Sequence, residues 1–287
     1  MTWINAIVQG ILIGGLYALF AAGLSLIFGV MRLVNIAHGD LIVAASYLAW
    51  AVVHATGLHP LASLIIVAPL AALFGYGLQL AVLNHTLGKD ILPPLLVTFG
   101  LSVILQNGLL QIFTADTRKL DAGALETGSF SLLPGVAIGY LPLLMFATAV
   151  VVIAGLQYLF YNTGLGRAFR ATSDDREIAL LMGLDNKRVY ASAMALSLAV
   201  VSIAGVFLAI RSNFDPFMGP GRLIFGFEAV IIGGLGNLWG TLIGGVVLGV
   251  AQGVGAEINP GWQVLAGHLA FLVVLAVKPR GLFPRVL

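Results

Sequence analysis

Seven stretches of this chain are apolar over lengths that can cross a bilayer, at about 4 to 28, 36 to 53, 61 to 84, 91 to 113, 140 to 161, 189 to 210 and 262 to 277. The hydrocarbon core of a bilayer is about 30 Å thick, and roughly 20 helical residues span it. No water reaches that core, so every backbone N–H and C=O must be bonded within the protein, and a helix satisfies its own. The expected fold is an all-α integral membrane protein, a polytopic helical bundle of about 7-9 transmembrane segments in one domain, 1-287. Composition agrees, since 9% of the residues are charged against about a quarter in soluble domains. The N-terminus MTWINAIVQG has no basic n-region and its apolar run passes residue 28 without a small-residue cleavage site, so it reads as a retained first span.

Residues 223–254 are the exception to this regular pattern. Interrupted by Gly233, Gly234, Gly236 and Asn237, they form either one long crossing or a descending and returning pair. Charge decides between them. A returning pair leaves 10 of the 14 Lys and Arg residues in the cytosol, whereas a single crossing divides them seven against seven. The positive-inside rule selects the pair. Its first limb, 223–235, is about 20 Å long at helical rise, which is shorter than the core, so a re-entrant or broken element is expected there. This topology places Thr2 and Ala122 outside, and Thr172 and Pro284 in the cytosol. The polar segment 114–139 is then an outer loop.

The stretch 162–190 holds nine of the chain's 26 formal charges and is its largest cytosolic loop. Asp174 followed three residues later by Glu177 has the spacing of an N-cap with a reciprocating acid. Gly183 has the character of the left-handed residue that ends a helix. A short helix is predicted at about 175–182, with Ile178, Leu181 and Met182 on one apolar face opposite a charged one. Such an element suits docking; the alternative is a helix lying on the membrane surface.

The run Glu177, Ile178, Ala179 and Gly183 is similar to the E-A-A-x-x-x-G pattern in the cytoplasmic coupling loop of ATP-binding-cassette importer permeases, with Ile178 in place of the first Ala. GLGRAFRAT, residues 164–172, resembles the same loop in branched-chain amino acid permeases. QGILIGGLYALFAAGLSLIFGVMRLVNIAHGD, residues 9–40, and FEAVIIGGLGNLWGTLIGG, residues 227–245, resemble two further signatures of that family. The chain thus resembles permeases of the LivH type. That resemblance implies a single transmembrane permease domain with a cytosolic coupling loop at 162-190. It also implies a second permease subunit, two ATP-binding subunits and an extracytoplasmic substrate-binding protein as partners, in the bacterial inner (plasma) membrane. Asp174, Glu177, Ala179 and Gly183 would couple to the ATPases, and transport would proceed by alternating access.

Glu228 lies in an apolar limb, where a carboxylate costs a few kcal/mol unless it is paired or faces a cavity. It is either a residue of the translocation path or a helix-terminal partner of Arg222. Asn35, His38 and Asp40 in NIAHGD either cap a turn or, as the resemblance implies, border the path; Asn237 in the glycine break is placed with them. His54, His59, His85 and His268 stand singly, without metal-ligand spacing, and receive no role. Gly236, Gly240 and Gly244 form one four-residue ladder and Gly245, Gly249 and Gly253 another, the spacing that lets helices approach closely in lipid. They pack either within the subunit or against a second permease. The echoes IGGL at 13–16 and 232–235, and LIFG at 26–29 and 223–226, are either internal repeats or chance among 36 glycines.

Without cysteine, thiolate metal sites and cysteine nucleophiles are excluded. There is no G-x-x-x-x-G-K-[ST], so no P-loop holds ATP, and no H-E-x-x-H or G-x-S-x-G marks a hydrolase. No metal, cofactor or catalytic residue is assigned. Basic residues gather at membrane edges, which argues for the lipid bilayer and against nucleic acid as a partner. Energy must come from partner ATPases or from a gradient. The first case is an importer permease for leucine, isoleucine and valine, or for urea or short amides; the second is a secondary transporter, for which only Glu228 and Asp40 offer intramembrane charge.

Overall fold

A 30-residue helix, α1 (Thr2–Met31), runs through the middle of the molecule. The computed structural model describes residues 2–88, 92–133 and 136–283. α1 is apolar on all sides, a pattern that suits a helix covered by others. Ala18, Leu19, Phe20, Ala21 and Ala22 are accordingly inaccessible. The chain continues through α2 (His38–Thr56), α3 (Leu64–Ala81), α4 (Leu92–Phe113) and the short α5 (Ala124–Thr127). Strands β1 (Ser129–Leu133) and β2 (Val136–Gly139) follow, then α6 (Tyr140–Asn162), α7 (Gly164–Asp174) and α8 (Arg176–Leu181). The last four helices are α9 (Asn186–Arg211), α10 (Gly219–Gly233), α11 (Leu238–Ile258) and α12 (Gln263–Val277).

Among the described residues, eight helical segments are long and apolar enough to cross a membrane. Seven correspond to the apolar stretches of the sequence, and the eighth is α11. The chain is a multi-pass membrane protein. α9 is the second buried helix, packed against α1, α2 and α3. α3, α4, α6 and α12 form the rim and turn Ile65, Leu96, Val151 and Val277 outward. Lipid tails are as apolar as these side chains, so their exposure is not penalised there.

The break at 223–254 is a returning pair. α10 has 15 residues, about 22 Å, and stops short of a full crossing. The chain reverses through Gly234 (φ 109°) and Gly236 (φ 78°), and α11 runs back. After α12, the N–H groups of Leu282 and Phe283 donate to the carbonyls of Ile232 and Gly233 at 2.8 and 3.1 Å. The segment after α12 therefore lies at the same end as the break. Ser173 Oγ, on α7, donates to Gly29 O at 2.6 Å, so the charged loop shares that end, which the Lys and Arg distribution predicts to be cytosolic. Pro284, Arg285 and Lys89 lie outside the described residues.

At the opposite end, segment 114–139 contains a hairpin where a loop was expected. β1 and β2 pair antiparallel, Ser129 opposite Gly139, and Gln9 Nε2 donates to Ala137 O at 2.5 Å. The alternation of SFSLL and VAIG around Pro134-Gly135 carries that signal.

Candidate functional site

The charged loop presents its short helix rigidly. Thr163 Oγ1 accepts from Gly166 N at 3.1 Å to start α7, and the buried Phe169 packs on Phe160, ring centroids 5.4 Å apart. α7 ends at Asp174, so Asp174 is not the cap of the next helix. That cap is Asp175, whose Oδ1 accepts from Glu177 N and Ile178 N at 2.8 and 2.9 Å. With the cap one residue later, Glu177 falls at the second helical position, and the reciprocal pairing expected of it is absent. α7 keeps its last turn through Asp174, and Asp175 is the first residue in an extended conformation (φ −146°, ψ 111°).

α8 closes as expected of Gly183. This glycine has φ 88°, and the N–H groups of Gly183 and Leu184 donate to the carbonyls of Leu180 and Ala179, both at 3.0 Å. The two crossed bonds make a Schellman motif, which a left-handed glycine permits. Ala179 is buried and anchors the helix, and Asn186 Nδ2 donates to Arg176 O at 2.7 Å. By contrast Ile178, Leu181 and Met182 are 58%, 85% and 79% exposed. This apolar face is left uncovered by the rest of the chain, on a helix capped at both ends.

A second cluster forms where helices begin inside the bundle. The chain turns back at Arg32 (φ 53°), and His38 Nε2 contacts Phe20 O at 2.8 Å. Phe20 is eleven residues before the end of α1, about 16 Å along it, so α2 starts near mid-height. Asn35 is buried and its Oδ1 accepts from Ala37 N at 3.0 Å, tightening this turn. Asp40 is also buried; its carboxylate accepts from Ser102 Oγ at 2.5 Å and Gln106 Nε2 at 3.0 Å. α10 begins beside it, and a Cβ added to Gly219 would stand 2.1 Å from Asp40 Oδ1. Asn35, His38 and Asp40 thus meet at the junction of two helices that run to opposite ends.

Glu228 is 4% exposed and bonded to His268 Nδ1 on α12. Arg222 is not its partner, because Arg222 Nη2 turns to Met218 Sδ at 3.1 Å. His268, given no role from sequence, belongs to this pair; the available signal was that ionisable groups within membranes pair with one another. Ser102 and Gln106, four residues apart on α4, were likewise missed. Asn237 caps α11, its Oδ1 accepting from Gly240 N and its Nδ2 donating to Phe283 O, both at 2.9 Å. It also lines a cavity of about 290 Å³ at the end where the chain breaks between α10 and α11, with Ser25, Gln157, Arg170, Gly236 and Trp239.

Gly236 lies in the turn before α11, so it does not extend a helical ladder; two positive-φ glycines and the Asn237 cap start the helix after it. Gly240 and Gly244 face α10, where added Cβ atoms would meet Gly233 O at 2.4 Å and Ala229 O at 2.0 Å. Gly245, Gly249 and Gly253 face α1, where added Cβ atoms would stand 2.5, 2.2 and 2.6 Å from the carbonyl oxygens of Gly14, Gly10 and Ala6. Both faces of α11 are therefore occupied within this chain.

The profile of the family described as "Branched-chain amino acid transport system / permease component" matches residues 6–277. The high-affinity branched-chain amino acid transport system permease protein BraD of Pseudomonas aeruginosa is 28% identical, covering 99% of this chain and 96% of that protein. LivH of Escherichia coli, a permease protein of the same description, is 25% identical over 96% of this chain and 94% of its own length. Among solved structures, PsaBC from Streptococcus pneumoniae in complex with Fab aligns with a TM-score of 0.48 at 16% identity, covering 96% of this chain and 91% of that one. That likeness is too loose to carry an argument.

Proposed function

The chain belongs to the family of branched-chain amino acid transport system permease components, and from that premise we propose that it is the permease subunit of an ATP-binding-cassette importer for leucine, isoleucine and valine. The observation that carries this reading is α8. Its apolar residues are left uncovered by this chain, and the helix is capped at both ends. Exposed apolar surface of this kind marks a docking site. The sequence has no nucleotide-binding loop of its own, and the resemblance to importer permeases supplies the docked partners of this reading, two ATP-binding subunits. A second permease completes the pore, and an extracytoplasmic binding protein delivers the amino acid. The complex sits in the bacterial inner membrane, and this chain carries no catalytic residue and no cofactor.

Closure of the ATP-binding subunits moves α8 and, through the Ser173–Gly29 contact, the cytosolic end of α1. Displacement at a bistable helix junction then opens the bundle to one side or the other. Asn35, His38, Asp40, Glu228 and Asn237 are the path residues of this reading, and Asp175 joins Glu177, Ala179 and Gly183 at the coupling site. The test is uptake of labelled leucine, isoleucine and valine into vesicles holding the complete importer. Uptake that needs ATP and the binding protein is expected. Uptake of urea instead would replace the substrate, and uptake that persists without ATPase activity would make the chain a secondary transporter.

A further inference from the structure

Two arginines in the outer half of the bundle form no ion pair among the described residues. Arg211 ends α9, Arg222 lies in the first turns of α10, and both line a cavity of about 140 Å³. Among the described residues no Asp or Glu forms an ion pair with either guanidinium. Asp215 is near enough to act on Arg222 electrostatically, but its Oδ1 accepts from Phe217 N at 2.9 Å. Arg222 Nε is buried without an acceptor. The two guanidiniums also act on each other as like charges. Like charges held together and partly removed from water are costly unless an anion joins them.

The rest of the lining describes the anion. Ile13, Leu16, Phe20 and Leu208 form an apolar wall, and Phe20, Leu208 and Leu16 are buried. Ser212 and Gln263 add neutral oxygens, while the Tyr17 hydroxyl is taken up by Gln252 Oε1 at 2.5 Å. The volume is well below the roughly 300–1,000 Å³ of pockets for drug-sized ligands, so the occupant is one small solute. A guanidinium recognises carboxylate through two parallel hydrogen bonds.

We propose that this cavity is a binding station for the transported amino acid, with Arg211 and Arg222 holding the α-carboxylate and the Ile13–Leu16–Phe20–Leu208 wall holding the aliphatic side chain. The proposal rests on the reading of the chain as a branched-chain amino acid permease and names where in it the solute stops. Ser212 and Gln263 accept from the ammonium group.

The chain has no cysteine, so Ser212→Cys places a single thiol in the cavity of the full-length chain, assembled with its partner subunits in phosphatidylcholine nanodiscs. Millimolar leucine is expected to slow alkylation of that thiol by N-ethylmaleimide about threefold or more. Leucinol, which lacks the carboxylate, should leave the rate unchanged. Adding Arg222→Gln should abolish protection, and Arg222→Lys, which also serves if the Gln variant fails to assemble, should retain part of it. Equal protection by leucinol, or none by any carboxylate, overturns the proposal. Protection by acetate and not by leucine overturns the amino-acid assignment. If phosphatidylglycerol in the nanodisc blocks the thiol and leucine has no effect, the anion is a lipid headgroup and the proposal fails. Leucine protection in an importer that moves no leucine would support this site while overturning the transport reading.

Discussion

His268 Nδ1 on α12 and Glu228 Oε1 on α10 share a hydrogen bond inside the bundle, although 40 residues separate them in sequence. The bond ties the short broken limb to the last span. Glu228 Oε2 is buried and makes no hydrogen bond among the described residues, so half of this carboxylate remains open to change during transport.

Glu228→Gln keeps the capacity to bond His268 and removes the charge. The variant should assemble at parental levels and lose about tenfold or more of its uptake in the reconstituted importer. Parental uptake would show that the pair is purely structural. His268→Ala, which leaves a buried carboxylate unpaired, should cost about 1–3 kcal/mol, measured as a lower unfolding temperature in detergent.

The cap of α8 distinguishes two adjacent aspartates. Asp175→Ala should destabilise the helix by about 1 kcal/mol and reduce co-purification of the ATP-binding subunits. Asp174→Ala, at the end of α7 with its side chain in solvent, should leave the complex intact. Equal losses in both variants would mean that charge in the loop, and not the cap, supports docking.

Gly183→Val acts at the other end of α8. At φ 88° a β-branched residue is strained by about 1 kcal/mol or more, although no atom stands within 4 Å of the added Cβ. The membrane spans are untouched, so the protein should insert normally yet lose association with the ATP-binding subunits and the ATPase stimulation that the binding protein produces. Normal coupling would reduce α8 to a surface loop.

Gly249 permits close contact between α11 and α1. Gly249→Val places a Cβ 2.2 Å from Gly10 O, and backbone cannot yield as a flexible side chain can. Overpacking of this kind costs about 1–3 kcal/mol or more. The variant should aggregate, or unfold at lower temperature in size-exclusion thermostability assays. Gly108→Ala on α4, where nothing lies within 4 Å, serves as the control and should behave as the parent.

Orientation is testable because the chain has no native cysteine. Single cysteines at the exposed Asp121, Asp174 and Lys278 are to be labelled in intact cells with an impermeant maleimide. Labelling is expected at 121 alone. A labelled 278 would mean that 223–254 crosses once and that the positive-inside count misleads.

Run length, charge distribution and glycine placement are local properties, and the seven spans, the returning pair and the left-handed end of α8 are legible from them. The exposed apolar face of Ile178, Leu181 and Met182 likewise follows from helical spacing alone. Which groups meet depends on how the helices pack. In a bilayer both faces of a span are apolar, so periodicity does not distinguish the side toward lipid from the side toward protein. The pairing of Glu228 with His268 in preference to Arg222 therefore depended on how α10 and α12 pack. The same holds for Asp40 with Ser102 and Gln106, and for the start of α2 at mid-height beside Phe20. The cap of α8 falls at Asp175 and not at Asp174 because α7 keeps its last turn, where Ser173 Oγ donates to Gly29 O, far away in sequence.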